Sequence, residues 1–354
     1  MPVDKLPLAV LEIALLLMAS FALADLPRPE DVLRQGVKRL SLTEHVRLNW
    51  PLQEVSFPLE FADGECRERS IILVAPDGKP MAFQLSAVTY HAGGQFVKSA
   101  RIHFLSSLAA GESKTFGVYY GSRADDAGDR SNLAQPVLTD LAVKPVDAAT
   151  LELSNGKIGL RVANGKAQYQ PAQLSVDVPA PIIAVRGPDG AWRGRGYLDT
   201  WWRVLGYETT VTAGPIFAEV RTTYHFERGK TYSVCVRLVD QMDYAHVEEQ
   251  MDLGPRCTFV FDCSAGFAPD RLGLTTAGSN VVPRQLNYFD DVLQARLNVF
   301  TQYTQLFDFR DALGVYQEEG ARDFVGLFIH NPGEWTRIKV NTIECWERRQ
   351  MGDD

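Results

Sequence analysis

The feature that most restricts what this chain can fold into is a strict two-residue alternation over 55–61. Val55, Phe57, Leu59 and Phe61 interleave there with Ser56, Pro58 and Glu60. Successive side chains of an extended backbone point to opposite sides, so this spacing puts four apolar groups on one face of a half-buried strand. Pro58 has no N–H to give to a ladder, which predicts an edge strand. The alternation returns in Ala100, Ile102 and Phe104 against Arg101 and His103, and in Phe116, Val118 and Tyr120 against Gly117 and Tyr119. Asp63-Gly64, Asp77-Gly78, Gly93-Gly94 and Ala110-Gly111 lie between the runs, and such pairs supply the positive φ that hairpins need. The block from Val55 to Gly121 predicts a meander of roughly five or six strands closing into a barrel or sandwich of about 80 residues.

A second β region begins after a polar stretch, Ser122–Leu133, which reads as an exposed linker. Leu151–Val162 carries two short alternating runs around Asn155-Gly156, a strong hairpin signal, and Asn164-Gly165 predicts another turn. Ile216, Ala218, Val220, Thr222, Tyr224 and Phe226 then share one face of a long strand. Arg228-Gly229-Lys230 turns the chain, and Tyr232, Val234, Val236 and Leu238 follow on one face of the next strand. Ala245, Val247, Glu249 and Met251 continue the pattern against Tyr244, His246, Glu248 and Gln250. Long strands joined by short turns predict a large antiparallel sheet with one packed and one polar face. Past the amino-terminal apolar run, a helical stripe is visible only weakly, at Asp290–Leu297. The expected fold is all-β, a small barrel over 46–123, a linker over 124–137 and a larger antiparallel sandwich over 138–354.

The first 24 residues read as an export signal, with Lys5, an apolar run from Leu6 to Ala24, and Ala22 and Ala24 at the −3 and −1 positions before Asp25. Ile13–Leu23 is shorter than the roughly 20 residues of a spanning helix, so after cleavage no integral membrane span is expected, and the protein is expected to be secreted or periplasmic. Residues 25–45 form a lead-in, where Val32–Leu42 has room for one or two helical turns. The formal net charge of −8 disfavours a general nucleic-acid role, since phosphate neutralisation needs an excess of Lys and Arg. Five cysteines leave at least one thiol without an intrachain partner. Cys257 and Cys263 either close a short loop or remain two buried thiols. No C-x-x-C pair exists and the six histidines are scattered, so zinc is not expected. No cofactor is expected, and calcium through scattered carboxylates stays open.

Further residues carry a family resemblance: Trp50-Pro51, Val55-Ser56-Phe57-Pro58 with Asp63-Gly64, Gly93 through Arg101, Leu108-Ala109-Ala110-Gly111-Glu112, and Val118-Tyr119-Tyr120-Gly121. This series resembles the amino-terminal RIFT-type barrel of the exo-acting rhamnogalacturonan lyase-like proteins. Leu153-Ser154-Asn155-Gly156 and the turn Ala213-Gly214-Pro215-Ile216 are similar to the central β-sandwich that follows in such proteins. The resemblance implies an exported carbohydrate-active protein, the β portion of a polysaccharide lyase-like enzyme. Its partner would be a polysaccharide or oligosaccharide, uronate-containing. Family members continue into a helical α/α toroid, which this sequence lacks up to Asp354. The sequence is therefore either a fragment of a longer enzyme or a β-only relative that binds glycan without cleaving it, or a structural surface protein.

A lyase acting on a uronate needs a base at the α-proton and a cation for the developing enolate. His225 and Arg221 share the polar side of one strand, and His246 shares that of another with Glu248, with Arg237 nearby if the strands are neighbours. The alternative is a solvated face of cross-strand ion pairs. Trp201-Trp202-Arg203 suits sugar binding, because indole faces stack on sugar rings and guanidinium pairs with a carboxylate. On a strand one of the two indoles would pack inward and the other would face ligand, or both are structural. Tyr197 and Asp199 precede them by a loop-like Gly194-Arg195-Gly196. Trp335 reads as a core anchor or a second binding aromatic, and His91 as a surface residue beside a turn. No P-loop, G-x-S-x-G, H-E-x-x-H or EF-hand pattern is present.

Overall fold

A computed structural model describes residues 36–122, 139–253, 257–262, 271–278, 281–287, 309–316 and 324–328. The signal segment, Asp290–Leu297, Cys263 and Trp335 lie outside the described residues, as does nearly all of the expected linker. The described chain is all-β. Helical structure among the described residues is confined to single turns at Glu68–Ser70, Ser175–Asp177 and Glu227–Gly229, and none is long and apolar enough to cross a membrane.

Two compact units divide the chain between Leu141 and Ala142, with Gly214–Phe217 belonging to the first. The strands of the first unit are β1 (Gly36–Thr43), β2 (Trp50–Glu60), β3 (Ile72–Val74), β4 (Pro80–Met81), β5 (Gln84–Tyr90), β6 (Val97–Leu108) and β7 (Ser113–Tyr120). They form two antiparallel sheets, β1-β7-β3-β4 and β2-β6-β5. One core fills the space they share, with Leu40, Leu73, Phe116 and Val118 from the first and Leu59, Ala100, Ile102 and Phe104 from the second. Phe104 has no exposed surface, a burial worth about 1.5–3 kcal/mol relative to solvent. Its ring lies 4.7 Å from that of Phe116. Pro58 sits opposite Arg101 on β2, an edge strand. The turn glycines take positive φ, 81° at Gly64 and 74° at Gly111 among them.

The lead-in differs from expectation. Gly36–Thr43 is no helical turn but a full strand, paired with β7 from Gly36↔Tyr120 to Thr43↔Ser113. Alternation was present at positions 38, 40 and 42 and was hidden because Lys38 occupies an inward site. Its ammonium lies over the rings of Phe61 and Tyr120, 5.1 and 5.5 Å from their centroids, so the stem packs while the charge meets π faces. The carboxylate of Glu44 then fixes the chain after β1. It accepts backbone N–H groups from Val46, Arg47 and Gly111 at 2.6, 2.9 and 2.6 Å.

In the second unit the strands are β8 (Ala142–Pro145), β9 (Thr150–Ser154), β10 (Gly159–Ala163), β11 (Lys166–Gln173), β12 (Ala184–Arg186), β13 (Trp192–Arg193), β14 (Arg195–Thr200), β15 (Val204–Ala213), β16 (Phe217–Phe226), β17 (Thr231–Val239), β18 (Ala245–Met251) and β19 (Cys257–Asp262). Two five-stranded sheets, β13-β12-β10-β9-β8 and β11-β15-β16-β17-β18, stand beside the pair β14-β19. β20 (Arg271–Gly278), β21 (Val281–Asn287), β22 (Phe309–Tyr316) and β23 (Phe324–Phe328) make a further antiparallel sheet. The predicted faces of β16 and β17 are buried throughout, from Ala218 to Phe226 and from Tyr232 to Leu238. A ladder of tyrosines crosses four strands there, Tyr169, Tyr207, Tyr224 and Tyr232, with successive centroids 6.5, 5.8 and 6.0 Å apart.

Asn155 shows how much more a turn residue can do than turn. It is 1% exposed, and its amide donates to the carbonyls of Val239 and Met242 at 2.6 Å each. Its Oδ1 accepts the N–H groups of Lys157 and Ile158. One side chain thus closes its own hairpin and ties it to the end of β17.

Candidate functional site

The corner between β14 and β15 carries the sequence-selected aromatics. Of the Gly194-Arg195-Gly196 segment, expected as a loop, Arg195 and Gly196 already begin β14, which pairs with β19 from Arg195↔Asp262 to Thr200↔Cys257. Gly196 is required by close approach, since a Cβ there would lie 1.7 Å from the carbonyl oxygen of Ile182. Its N–H donates to Ile183 O at 2.8 Å. That contact seats β14 with Gly196 and Leu198 buried and Arg195, Tyr197 and Asp199 on the other side. The Arg195 guanidinium lies 6.0 Å from the Tyr197 ring centroid.

The chain then bends over 201–203 instead of continuing as strand. Ser175, 2% exposed, holds Thr200 just before the bend, accepting its N–H at 3.2 Å and donating to its carbonyl at 3.3 Å. Trp202 is the anchor. Its indole N–H donates to Leu253 O at 3.0 Å, and the Arg228 guanidinium lies 5.5 Å from its ring centroid. Trp201 turns outward and is 76% exposed. Arg203 is exposed as well, donating from Nη1 to Ala172 O at 3.3 Å while its own carbonyl accepts the Glu227 N–H. The arrangement is a solvent-facing indole and a solvent-facing guanidinium on a bend pinned on both sides.

The other predicted residues lie on the polar face of the β11-β15-β16-β17-β18 sheet. His225 is opposite Gly206, and its Nε2 stands 3.9 Å from Glu208 Oε1. Arg221 is opposite Thr210 and points its guanidinium toward Glu219, 3.9 Å away. Four residues along one strand separate these two by about 13 Å, so they do not converge on one reacting atom. His246 does find a cation: Arg237 is its direct partner across β17 and β18. Arg237 is itself held by Glu219, through Nε at 3.0 Å and Nη2 at 2.7 Å. Cys235 shares this face, and burial and then the neighbouring Glu219 push its thiol up to about 12, which disfavours the thiolate. No cluster of metal-ligating side chains occurs among the described residues.

One group that the sequence reading passed over is in the first unit. Alternation marks His103 only as the polar member of its strand, yet it is 3% exposed. Its Nδ1 is 2.6 Å from Glu54 Oε1 and its Nε2 is 2.7 Å from Ser86 Oγ. The Phe217 ring stands edge-on at 5.0 Å, beside Gln84, whose Oε1 accepts the N–H groups of Ile216 and Phe217. The signal available in sequence was weak, a Glu, a His and a Ser on three separate strands. His91, also singled out, bonds through Nε2 to Phe61 O at 2.9 Å and secures the turn after β5.

No family model and no curated protein matches the chain. Among solved structures, a crystal structure of a protein in the glycosyl hydrolase family 38 from Enterococcus faecalis aligns with a TM-score of 0.43 at 9% identity. The alignment covers 88% of this chain and 42% of that one, so this chain spans less than half of that protein's length.

Proposed function

We propose that this is an exported carbohydrate-binding β protein of the rhamnogalacturonan lyase-like kind, whose second unit takes a uronate-containing glycan at the 195–203 corner. The observation that carries the reading is Trp201, 76% exposed on a bend whose neighbour Trp202 is anchored through its indole N–H. An exposed indole carried on a bend that its neighbour anchors can stack on a sugar ring without ordering the backbone beneath it. Arg203 supplies the charge that a uronate carboxylate would meet. Calorimetry with uronate-containing oligosaccharides tests it. The wild type binds, and Trp201→Ala binds at least tenfold more weakly with the fold intact. Equal affinity in both proteins would overturn the reading.

A cleaving activity is the second reading, favoured by one observation: His246 directly faces Arg237 across two strands. A base beside a cation is the pairing that proton abstraction from a uronate requires. Release of ultraviolet-absorbing unsaturated product from pectic substrates, abolished in His246→Ala, would support it. No such product from the wild-type chain across uronate-containing glycans would remove it.

A further inference from the structure

We propose that Glu54, His103 and Ser86 of the first unit form an ester-hydrolysing site, an activity independent of the glycan-binding reading. The three residues lie on adjacent strands of the β2-β6-β5 sheet. His103 is in register with Ser56 on β2 and with Gln84 on β5. Glu54 and Ser86 are therefore its diagonal neighbours on the same face. The connectivity is that of a nucleophile, a base and an orienting carboxylate: Ser86 Oγ at Nε2, 2.7 Å, and Glu54 Oε1 at Nδ1, 2.6 Å. An ionised carboxylate can only accept, so Nδ1 keeps its proton and donates it in a hydrogen bond to Glu54, which leaves Nε2 to accept from Ser86.

Two further observations set this relay apart from an ordinary satisfied histidine. The first is enclosure. His103 is 3% exposed and the Glu54 side chain 13%, with the Phe217 ring edge-on to the imidazole, so the Glu–His bond lies away from water, where it orients the ring most strongly. Ser86, at the other end, is only partly buried. The second is backbone irregularity at the nucleophile. After Ser86↔Arg101 the register resumes at Thr89↔Ser99, so Ala87 and Val88 lie opposite the single residue Ala100. Ala87 takes φ 49°. A bulge of this kind breaks the ladder and re-aims the side chain next to it, and a non-glycine residue at positive φ is a strained feature that an ordinary strand does not carry.

The reaction balances without any further group. Ser86 Oγ bonds to the carbonyl carbon of a carboxylic ester as its proton passes to His103 Nε2. The carbon–oxygen bond to the alcohol breaks, and the leaving alkoxide takes that proton. Water then attacks the acyl-Ser86 ester, giving a proton to Nε2, and the serine oxygen recovers it as the carboxylic acid departs. Glu54 stays ionised throughout and holds the imidazolium.

The test is phosphonylation of the full chain with a fluorophosphonate probe, the adduct located by peptide mass spectrometry, together with turnover of p-nitrophenyl acetate. The expected result is one adduct, on Ser86, and ester turnover that Ser86→Ala abolishes. Glu54→Gln keeps the shape but loses the orienting charge, and is expected to lower the labelling rate by about 10²-fold or more. The adduct's position in the wild type decides without any variant having to fold. Folded wild type that yields no adduct on Ser86, or ester turnover that survives Ser86→Ala, would overturn the proposal.

Discussion

His103 in the first unit and His225 in the second are written into the sequence in the same way, each as the polar member of an alternating strand. In the fold they have little in common. His103 is 3% exposed, with partners at 2.6 and 2.7 Å on its two ring nitrogens. The His225 side chain is 42% exposed, and the nearest carboxylate oxygen is 3.9 Å away. The difference is one of cover. The β16 face that carries His225 stays half in water, while the β6 face that carries His103 lies under Phe217 and beside a buried Gln84. A covered polar group must find partners or cost the fold its desolvation, whereas an open one is satisfied by water whatever its neighbours do. Strong geometry is therefore to be sought at covered polar groups, and ligand contact at open aromatic ones such as Trp201.

The sharpest way to break this comparison is His103→Ala. It removes a buried ring together with its bonds to Glu54 and Ser86 and is expected to cost about 3 kcal/mol in urea unfolding; a loss below about 0.5 kcal/mol would place the site with ordinary surface positions. Next comes Asn155→Ala, which removes the buried amide from the carbonyls of Val239 and Met242 and from the N–H groups of Lys157 and Ile158 and is expected to cost about 2 kcal/mol. At the open corner the effect should move from stability to binding. Trp201→Ala is expected to leave the unfolding midpoint unchanged while weakening glycan affinity at least tenfold, about 1.4 kcal/mol, whereas Trp202→Ala should lower the midpoint.

A slighter, pH-dependent effect is expected at Glu44. Desolvation works against its carboxylate, but the N–H donors of Gly111, Leu48 and Val46 and the Trp50 indole outweigh it and hold the group down at about 2, below its ordinary 4.5. A depressed folded value means stability that is fully present above the unfolded value and lost as pH falls from 4.5 toward 2. Acid titration of the wild type should show that loss, and Glu44→Gln should flatten it. The smallest effect is reserved for His225→Ala, expected to lie within about 0.5 kcal/mol of wild type. A larger loss there would show that the open face is not as open as its exposure implies.

Much of the site was legible only as a set of residue types. The Trp201-Trp202-Arg203 triplet stood out in sequence, but its bend did not, because the bend follows from Ser175 and Leu253 bonding to Thr200 and Trp202 across 25 and 51 residues. Lys38 concealed a strand, since its inward position makes sense only once Phe61 and Tyr120 are beside it. The Glu54–His103–Ser86 contact spans three strands whose register the alternation does not fix.

What the sequence determined by itself was the side to which each residue points and the places where the chain turns. Both are local properties, set by the two-residue repeat of extended backbone and by glycine's tolerance of positive φ. Which of the resulting faces would be covered, and so which polar side chains must bond to each other, was decided by the tertiary structure alone. Cover comes from segments distant in the chain, as Phe217 comes to His103 across more than a hundred residues, and no local periodicity carries that information.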